Sequence, residues 1–234
     1  MNFAAAKPVI RLLIFDLDGT LIDSKTDLAH SVNATLRHLG RPPLDDQTIY
    51  SYVGKGAEAL IARAAGDSIT PQEMQTGLRY FIHYYWMHKL DHTRLYPGVR
   101  ESLNRLANGH AGSPRYMAVL TNKPVYPSQG IIDDLGLGRL FHAVYGGNSF
   151  HSKKPDPVGV HSLLHETGVQ PSEAMIVGDS DVDIETGVRA SVWTCGVTYG
   201  FGTLQLESNP PDLIVDSLPE LADALDGGFG GPSG

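Results

Sequence analysis

Val9-Ile10-Arg11-Leu12-Leu13-Ile14-Phe15-Asp16-Leu17-Asp18-Gly19-Thr20 runs from an apolar stretch straight into two carboxylates and a glycine. Residues 9–15 are apolar apart from Arg11, as in a strand covered on both faces of a sheet. Asp16 and Asp18 stand two apart on an extended chain, so they face the same side, while Leu17 points the other way. Gly19 permits a sharp exit. Two carboxylates held side by side repel unless a cation joins them or one keeps a proton. A hard cation such as Mg²⁺ prefers such oxygen ligands. Asp-Gly is also a common turn pair, so taken alone the stretch reads equally as a polar strand-to-turn cap.

Working outward, further short apolar runs read as strands: 116–120 ending at Thr121, 143–145, 174–177 ending at Gly178-Asp179, 193–197, and 213–215 at an edge. Helical patterns alternate with them, which argues an α/β fold, a Rossmann-like, mainly parallel sheet flanked by helices. Roughly a hundred residues separate the first two strands, far more than one crossover helix requires. This stretch is helical in pattern. Residues 26–39 carry Leu28, Val32, Leu36 and Leu39 at helical spacing, with Gly40 as a stop. Residues 56–65 form a short helix, and Pro71 opens another running to about 90. Tyr96-Pro97-Gly98 marks a turn before a helix over 99–107. The organisation expected is an α/β core over 1–23 and 96–226, an inserted α-helical cap over 24–95, and a flexible glycine-rich tail over 227–234.

The 234 residues suffice for one sizeable core plus a small insert. A net charge of -8 does not advertise nucleic-acid binding. No apolar run approaches the roughly 20 residues of a membrane helix, and the first residues do not read as a secretory leader. The single cysteine, Cys195, excludes an intramolecular disulfide and reads as a buried strand residue. A cytoplasmic location, no membrane and a monomer or homodimer are the expectations. An anionic substrate would have to be met by a metal ion or a few placed cations.

Three more polar clusters sit at strand ends, where ligands bind in open α/β sheets. Thr121-Asn122-Lys123 offers a hydroxyl and backbone N–H groups for phosphate oxygens, or a helix cap. Lys153-Lys154-Pro155-Asp156-Pro157 is a stiff mount for a cation, or a solvated basic turn. Gly178-Asp179-Ser180-Asp181-Val182-Asp183 adds carboxylates that face the space of Asp16, or begins a helix whose dipole favours acids. Each alternative is adequate by itself. Four such clusters in this order are hard to explain as caps.

The arrangement resembles the haloacid-dehalogenase-like superfamily, whose hydrolases carry Asp-x-Asp-x-Thr, a strand-end Ser or Thr, a Lys, and Gly-Asp-x-x-x-Asp. The matching residues are Asp16, Asp18 and Thr20; Thr121; Lys154; and Gly178, Asp179 and Asp183. Within that superfamily, Tyr52-Val53-Gly54-Lys55-Gly56-Ala57 with Arg63, Leu95-Tyr96-Pro97-Gly98-Val99 and Thr121-Asn122-Lys123-Pro124 resemble the phosphoglycolate phosphatases. Lys55 departs from the polar residue common at its place.

The resemblance implies a Mg²⁺-dependent phosphatase of small phosphorylated metabolites, with 2-phosphoglycolate foremost. Asp16 would be the nucleophile and Asp18 the acid and base. Thr121, Asn122, Thr20 and Lys154 would cradle the phosphoryl group. Asp16, Asp18 (through its carbonyl), Asp179 and Asp183 would serve the metal, and Gly54, Lys55 and Arg63 would meet the substrate from the cap. The presence of Asp18 argues against dehalogenase and phosphonatase chemistry. A pyrophosphatase or another small-metabolite phosphatase is the nearest alternative, and a phosphosugar mutase is a more distant one. His83, His88 and His92 read as a solvated face rather than a second metal site. Tyr80, Phe81, Tyr84, Tyr85 and Trp86 read as packing rather than a ligand box.

Overall fold

The computed structural model describes residues 9–109 and 114–226; the glycine-rich tail at 227–234 lies outside them. Strand β1 (Leu12–Phe15) leads through β2 (Ile22–Asp23) into α1 (Lys25–His38), α2 (Asp46–Tyr50), α3 (Ala57–Ala65) and α4 (Pro71–His88). The chain returns through β3 (Arg94–Leu95) to α5 (Val99–Ala107), β4 (Tyr116–Leu120), α6 (Val125–Asp134) and β5 (Ala143–Tyr145). It finishes as α7 (Val158–Thr167), β6 (Ala174–Gly178), α8 (Asp181–Ala190), β7 (Trp193–Val197), β8 (Leu213–Val215) and α9 (Leu218–Asp226).

Six parallel strands form one sheet in the order β5-β4-β1-β6-β7-β8. The order reverses at β1, which places the end of β1 at the crevice where such sheets bind ligands. All four residues of β1 are buried. Leu13 and Phe15 enter one apolar cluster with Leu103, Ile131 and Leu221, so α5, α6 and α9 cover that face. Leu12 and Ile14 enter the other with Val160, Leu163 and Ala190, so α7 and α8 cover the second. Period-two alternation thus feeds two separate cores. Burying each large aliphatic side chain contributes about 1.5–3 kcal/mol.

The helices of the insert pack on one another, α4 against α1 and α3, and α1 against α2 and α3. Thr70 and Glu73 close a capping box before Pro71, as the proline position suggested. Asp45 caps α2 by accepting from the Thr48 N–H at 2.9 Å. The five residues of α2 are too few to show a period, so that helix was not legible. Nor were the two-residue strands β2 and β3, which pair antiparallel where the chain leaves and re-enters the core. The first strand begins at Leu12 rather than residue 9, although Tyr116 N–H still donates to the Arg11 carbonyl at 2.8 Å. Cys195 is fully buried in β7, as expected.

Two of the three histidines near α4 have acidic partners that the sequence reading did not anticipate. His88 Nδ1 lies 2.8 Å from Asp91, and His92 Nδ1 lies 2.9 Å from Asp27. Asp27, on α1, also accepts the Thr93 N–H at 2.8 Å and the Thr93 hydroxyl at 2.7 Å. These bonds make Asp27 a clasp between α1 and the returning segment.

Gly187 lets α8 lie directly on the sheet, because a Cβ there would stand 2.5 Å from Ile176 Cγ2 and from Thr194 Cγ2. Gly187→Val is expected to destabilise the fold by about 2–3 kcal/mol, lowering Tm by roughly 4–12 °C. Calorimetry checks this, and an unchanged Tm would contradict the close approach.

Candidate active site

β1 delivers Asp16 to the crevice, where its N–H donates to the Val177 carbonyl of β6 at 2.9 Å. Thr121 follows β4 and Asp179 follows β6, both buried. Lys154 enters from the segment between β5 and α7, and its peptide bond to Pro155 is cis. Its ammonium lies 2.9 Å from Asp16 Oδ1 and 2.5 Å from Asp183 Oδ1. Asp183 is fully buried in the first turn of α8, where its Oδ2 accepts from the Ser180 N–H and hydroxyl at 3.2 and 2.6 Å. Asp179 Oδ2 accepts the N–H groups of Phe201 and Gly202 at 3.0 and 2.7 Å. Gly19, at φ +85°, packs against Asp179 so closely that a Cβ would sit 2.0 Å from Oδ2.

This cluster holds more negative charge than its cation balances. Burial pushes Asp16 up to about 6 against the pull of Lys154, with Asp183 and Asp18 adding to the rise. Burial raises Asp179 to about 8, reinforced by Asp16 and Asp183 and opposed by the Gly202 and Phe201 N–H groups. Burial would lower Lys154, but Asp16 and Asp183 overcome it and hold the ammonium charged. Carboxylate oxygens of Asp16, Asp179 and Asp183 lie within 4.8 Å of one another. An all-oxygen, over-anionic, buried donor set of this kind fits a hard divalent cation. Asp183 is already engaged by Lys154 and Ser180, which leaves Asp16 and Asp179 the freer oxygens.

The Asp18 carboxylate is turned away from that group. Both its oxygens lie 2.8 Å from Lys123 Nζ, and Oδ1 accepts from the Ser24 hydroxyl at 2.5 Å. Lys123 is buried and stands 4.4 Å from the centroid of the Tyr85 ring. Burial would lower its pKa, but Asp18 and Tyr85 carry it up to about 12. The sequence reading quoted Lys123 without giving it a role. Its adjacency to Thr121 and Asn122 was the available signal. The loop bearing Phe201 and Gly202 was missed too, although the strand-end rule applied to β7 would have found it.

A cavity of about 480 Å³ lies between these strand ends and the insert. Asp16, Asp18, Thr121, Asn122 and Asp179 line it from the core, and Gly54 and Lys55 from the insert. The Asn122 side-chain amide donates to the carbonyls of Gly54 and Lys154 at 3.1 and 3.0 Å. It therefore joins two chain segments, leaving its backbone N–H as the group available to a phosphate oxygen. Lys153 Nζ donates to the Lys55 carbonyl at 2.8 Å. Thr20 is fully buried with no partner for its hydroxyl, and it does not line the cavity. Arg63 is exposed on α3 with its guanidinium 6.0 Å from the Tyr52 ring, and it does not line the cavity either. The aromatic run of α4 divides: Trp86 stacks on Tyr126 of α6, whereas Phe81 and Tyr85 line the cavity wall. For those two, the reading as packing alone is incomplete.

A family model for haloacid dehalogenase-like hydrolases matches residues 13–197. The chain belongs to that family. It is 37% identical over 225 residues to the phosphoglycolate phosphatase of Vibrio parahaemolyticus, covering 92% of this chain and 96% of that one. It is 35% identical over 231 residues to phosphoglycolate phosphatase 1 of Pseudomonas aeruginosa, covering 96% and 82%. Its fold superposes on the crystal structure of a predicted phosphoglycolate phosphatase from Haemophilus somnus with a TM-score of 0.83, at 34% identity and with 92% and 96% coverage. Among the described residues, no helix is long and apolar enough to cross a membrane.

A carboxyl raised in the fold from its ordinary value of 3.8 to about 8 weakens the metal-free protein as pH climbs between those values. Asp179→Asn removes that burden. With EDTA at pH 8, the variant is expected to melt a few degrees above wild type, and added Mg²⁺ should raise its Tm less than it raises the wild type's. Differential scanning fluorimetry checks both; a metal-free variant melting below wild type would count against the charge crowding.

Proposed function

We propose that the chain is a Mg²⁺-dependent phosphatase of small phosphate monoesters, with 2-phosphoglycolate the preferred substrate. The observation that carries this reading is the convergence of Asp16 and Asp179 on the cavity floor, with Lys154 buried against Asp16 and Asp18 beside it. The curated relatives named above, each covered over most of its length, support the substrate.

Asp16 attacks phosphorus in line, and the phosphoryl group passes to its carboxylate as an aspartyl phosphate. Asp18 protonates the departing alkoxide and later takes a proton from the water that hydrolyses the intermediate. Lys154, held by Asp183, and the Thr121 hydroxyl stabilise charge on the phosphoryl oxygens. Bound Mg²⁺, held by Asp16, Asp179 and the Asp18 carbonyl, would neutralise the approach of a dianionic phosphate to a carboxylate. Asp183 would add negative charge for that ion while it holds Lys154. The α-helical insert, taken as residues 24–95, acts as a cap whose loop Gly54-Lys55-Gly56 shields the reaction from bulk water. Thr20 anchors the loop that carries the two aspartates, its carbonyl accepting from the Tyr199 hydroxyl at 2.7 Å, rather than touching phosphate. Arg63 has no place in this scheme.

Asp16→Asn is expected to reduce turnover at least 10³-fold, by the ~4 kcal/mol or more that a lost nucleophile removes, with an unchanged circular dichroism spectrum. Near-normal phosphate release would sink the assignment. Exhaustive EDTA treatment should abolish activity and Mg²⁺ should restore it. A substrate panel of 2-phosphoglycolate, pyrophosphate, sugar phosphates and nucleotides, scored by inorganic phosphate release, tests the preference. A higher kcat/KM for pyrophosphate would replace the proposed substrate, and phosphate retained on a sugar would indicate a mutase.

A further inference from the structure

Tyr85 is 2% exposed, lines the cavity beside Asp18 and Lys123, and carries a phenol oxygen that is buried without a hydrogen-bond partner. Phe81 stacks on its ring at 5.9 Å, so the ring itself is fully accounted for by packing. The hydroxyl is not. A phenylalanine would fill the same space without leaving a buried hydroxyl unsatisfied, which is destabilising. Burial pushes the phenol up to about 12, with Lys123 opposing and Asp18 adding, so it stays a neutral O–H donor near neutral pH.

Its neighbour orients that hydroxyl. An ammonium carries three N–H donors, and Lys123 directs its charge to two acceptors, both oxygens of Asp18. The third N–H faces the Tyr85 oxygen, so the Tyr85 O–H proton is the donor left without an acceptor in this buried corner. The position of that corner selects among ligands. In a two-carbon leaving group the carboxylate oxygens lie only about 3–4 Å from the bridging ester oxygen. Asp18 must reach that bridging oxygen, so the carboxylate falls beside Asp18. The Lys55 side chain is exposed, so the nearer donor is Tyr85.

We infer that the Tyr85 O–H, beside the positive charge of Lys123, receives the carboxylate of the leaving group, making Tyr85 a specificity residue for small phosphorylated hydroxyacids. This rests on the phosphatase reading above and adds where the acid group is read. It also explains a tyrosine where packing asks only for a phenyl ring.

The test compares 2-phosphoglycolate with ethyl phosphate, the same two-carbon ester with a methyl group in place of the carboxylate, at saturating Mg²⁺. The ratio of the two kcat/KM values is expected to favour 2-phosphoglycolate in the wild type. It should fall about 10- to 100-fold in Tyr85→Phe, chiefly through KM for 2-phosphoglycolate. A ratio that survives Tyr85→Phe removes Tyr85 from recognition and leaves the phosphatase reading standing. An equal loss on both esters assigns Tyr85 to packing and likewise overturns the inference. A wild type that turns over both esters equally shows that no carboxylate is read, and both the inference and the 2-phosphoglycolate preference then fail.

Discussion

Everything at the reaction centre follows from crowding carboxylates into a buried corner of the crevice. Asp16, Asp179 and Asp183 would drive one another apart if only the sheet held them. Lys154 stands between two of them, and paired backbone N–H groups hold the third. The residual repulsion is what makes the corner receptive to a divalent cation. The fold supplies the rigidity: β1 is buried on both faces and flanked by parallel neighbours, so Asp16 cannot retreat. The site is thus strained electrostatically and braced mechanically, the usual compromise where function costs stability.

The two lysines of the site do different work because of where the chain delivers them. Lys154 is held by Asp16 and Asp183, on the side proposed for the phosphoryl group. Lys123 is held by Asp18 and Tyr85, on the side proposed for the leaving group. Ser24, the residue before α1, turns its hydroxyl to Asp18 instead of capping its own helix. The carboxylate proposed as acid and base is thereby tied to the residue that precedes α1. Its position and the seating of the helices above it are set together.

Much of this was legible in the sequence because it depends on local patterns. Buried parallel strands read as apolar runs, and their last residues marked Asp16, Thr121 and Asp179 without any knowledge of distance. Asp183 was placed by helical spacing. What escaped depends on long-range contacts. Lys123 looked like one more polar residue until the fold set it against Asp18. Tyr85 was one aromatic among five on α4, and only the docking of that helix over the crevice separates the two that face the cavity from those that face elsewhere. Arg63 went the other way: a cation on the right segment, turned outward by the phase of α3. Elements of two to five residues, β2, β3 and α2, were invisible because so short a run has no period.

The grip on the loop at 54–56 uses main-chain atoms alone: Asn122 holds the Gly54 carbonyl and Lys153 holds the Lys55 carbonyl. A contact made through the peptide backbone is indifferent to the side chain it carries. Position 55 can therefore drift over evolutionary time, changing what the mouth of the cavity displays, while the loop keeps its seat. Lys55, whose side chain is exposed, is the kind of residue that such an attachment leaves free to change. Diversification of small-ester preference on this scaffold would then proceed at the rim, with the catalytic floor left alone.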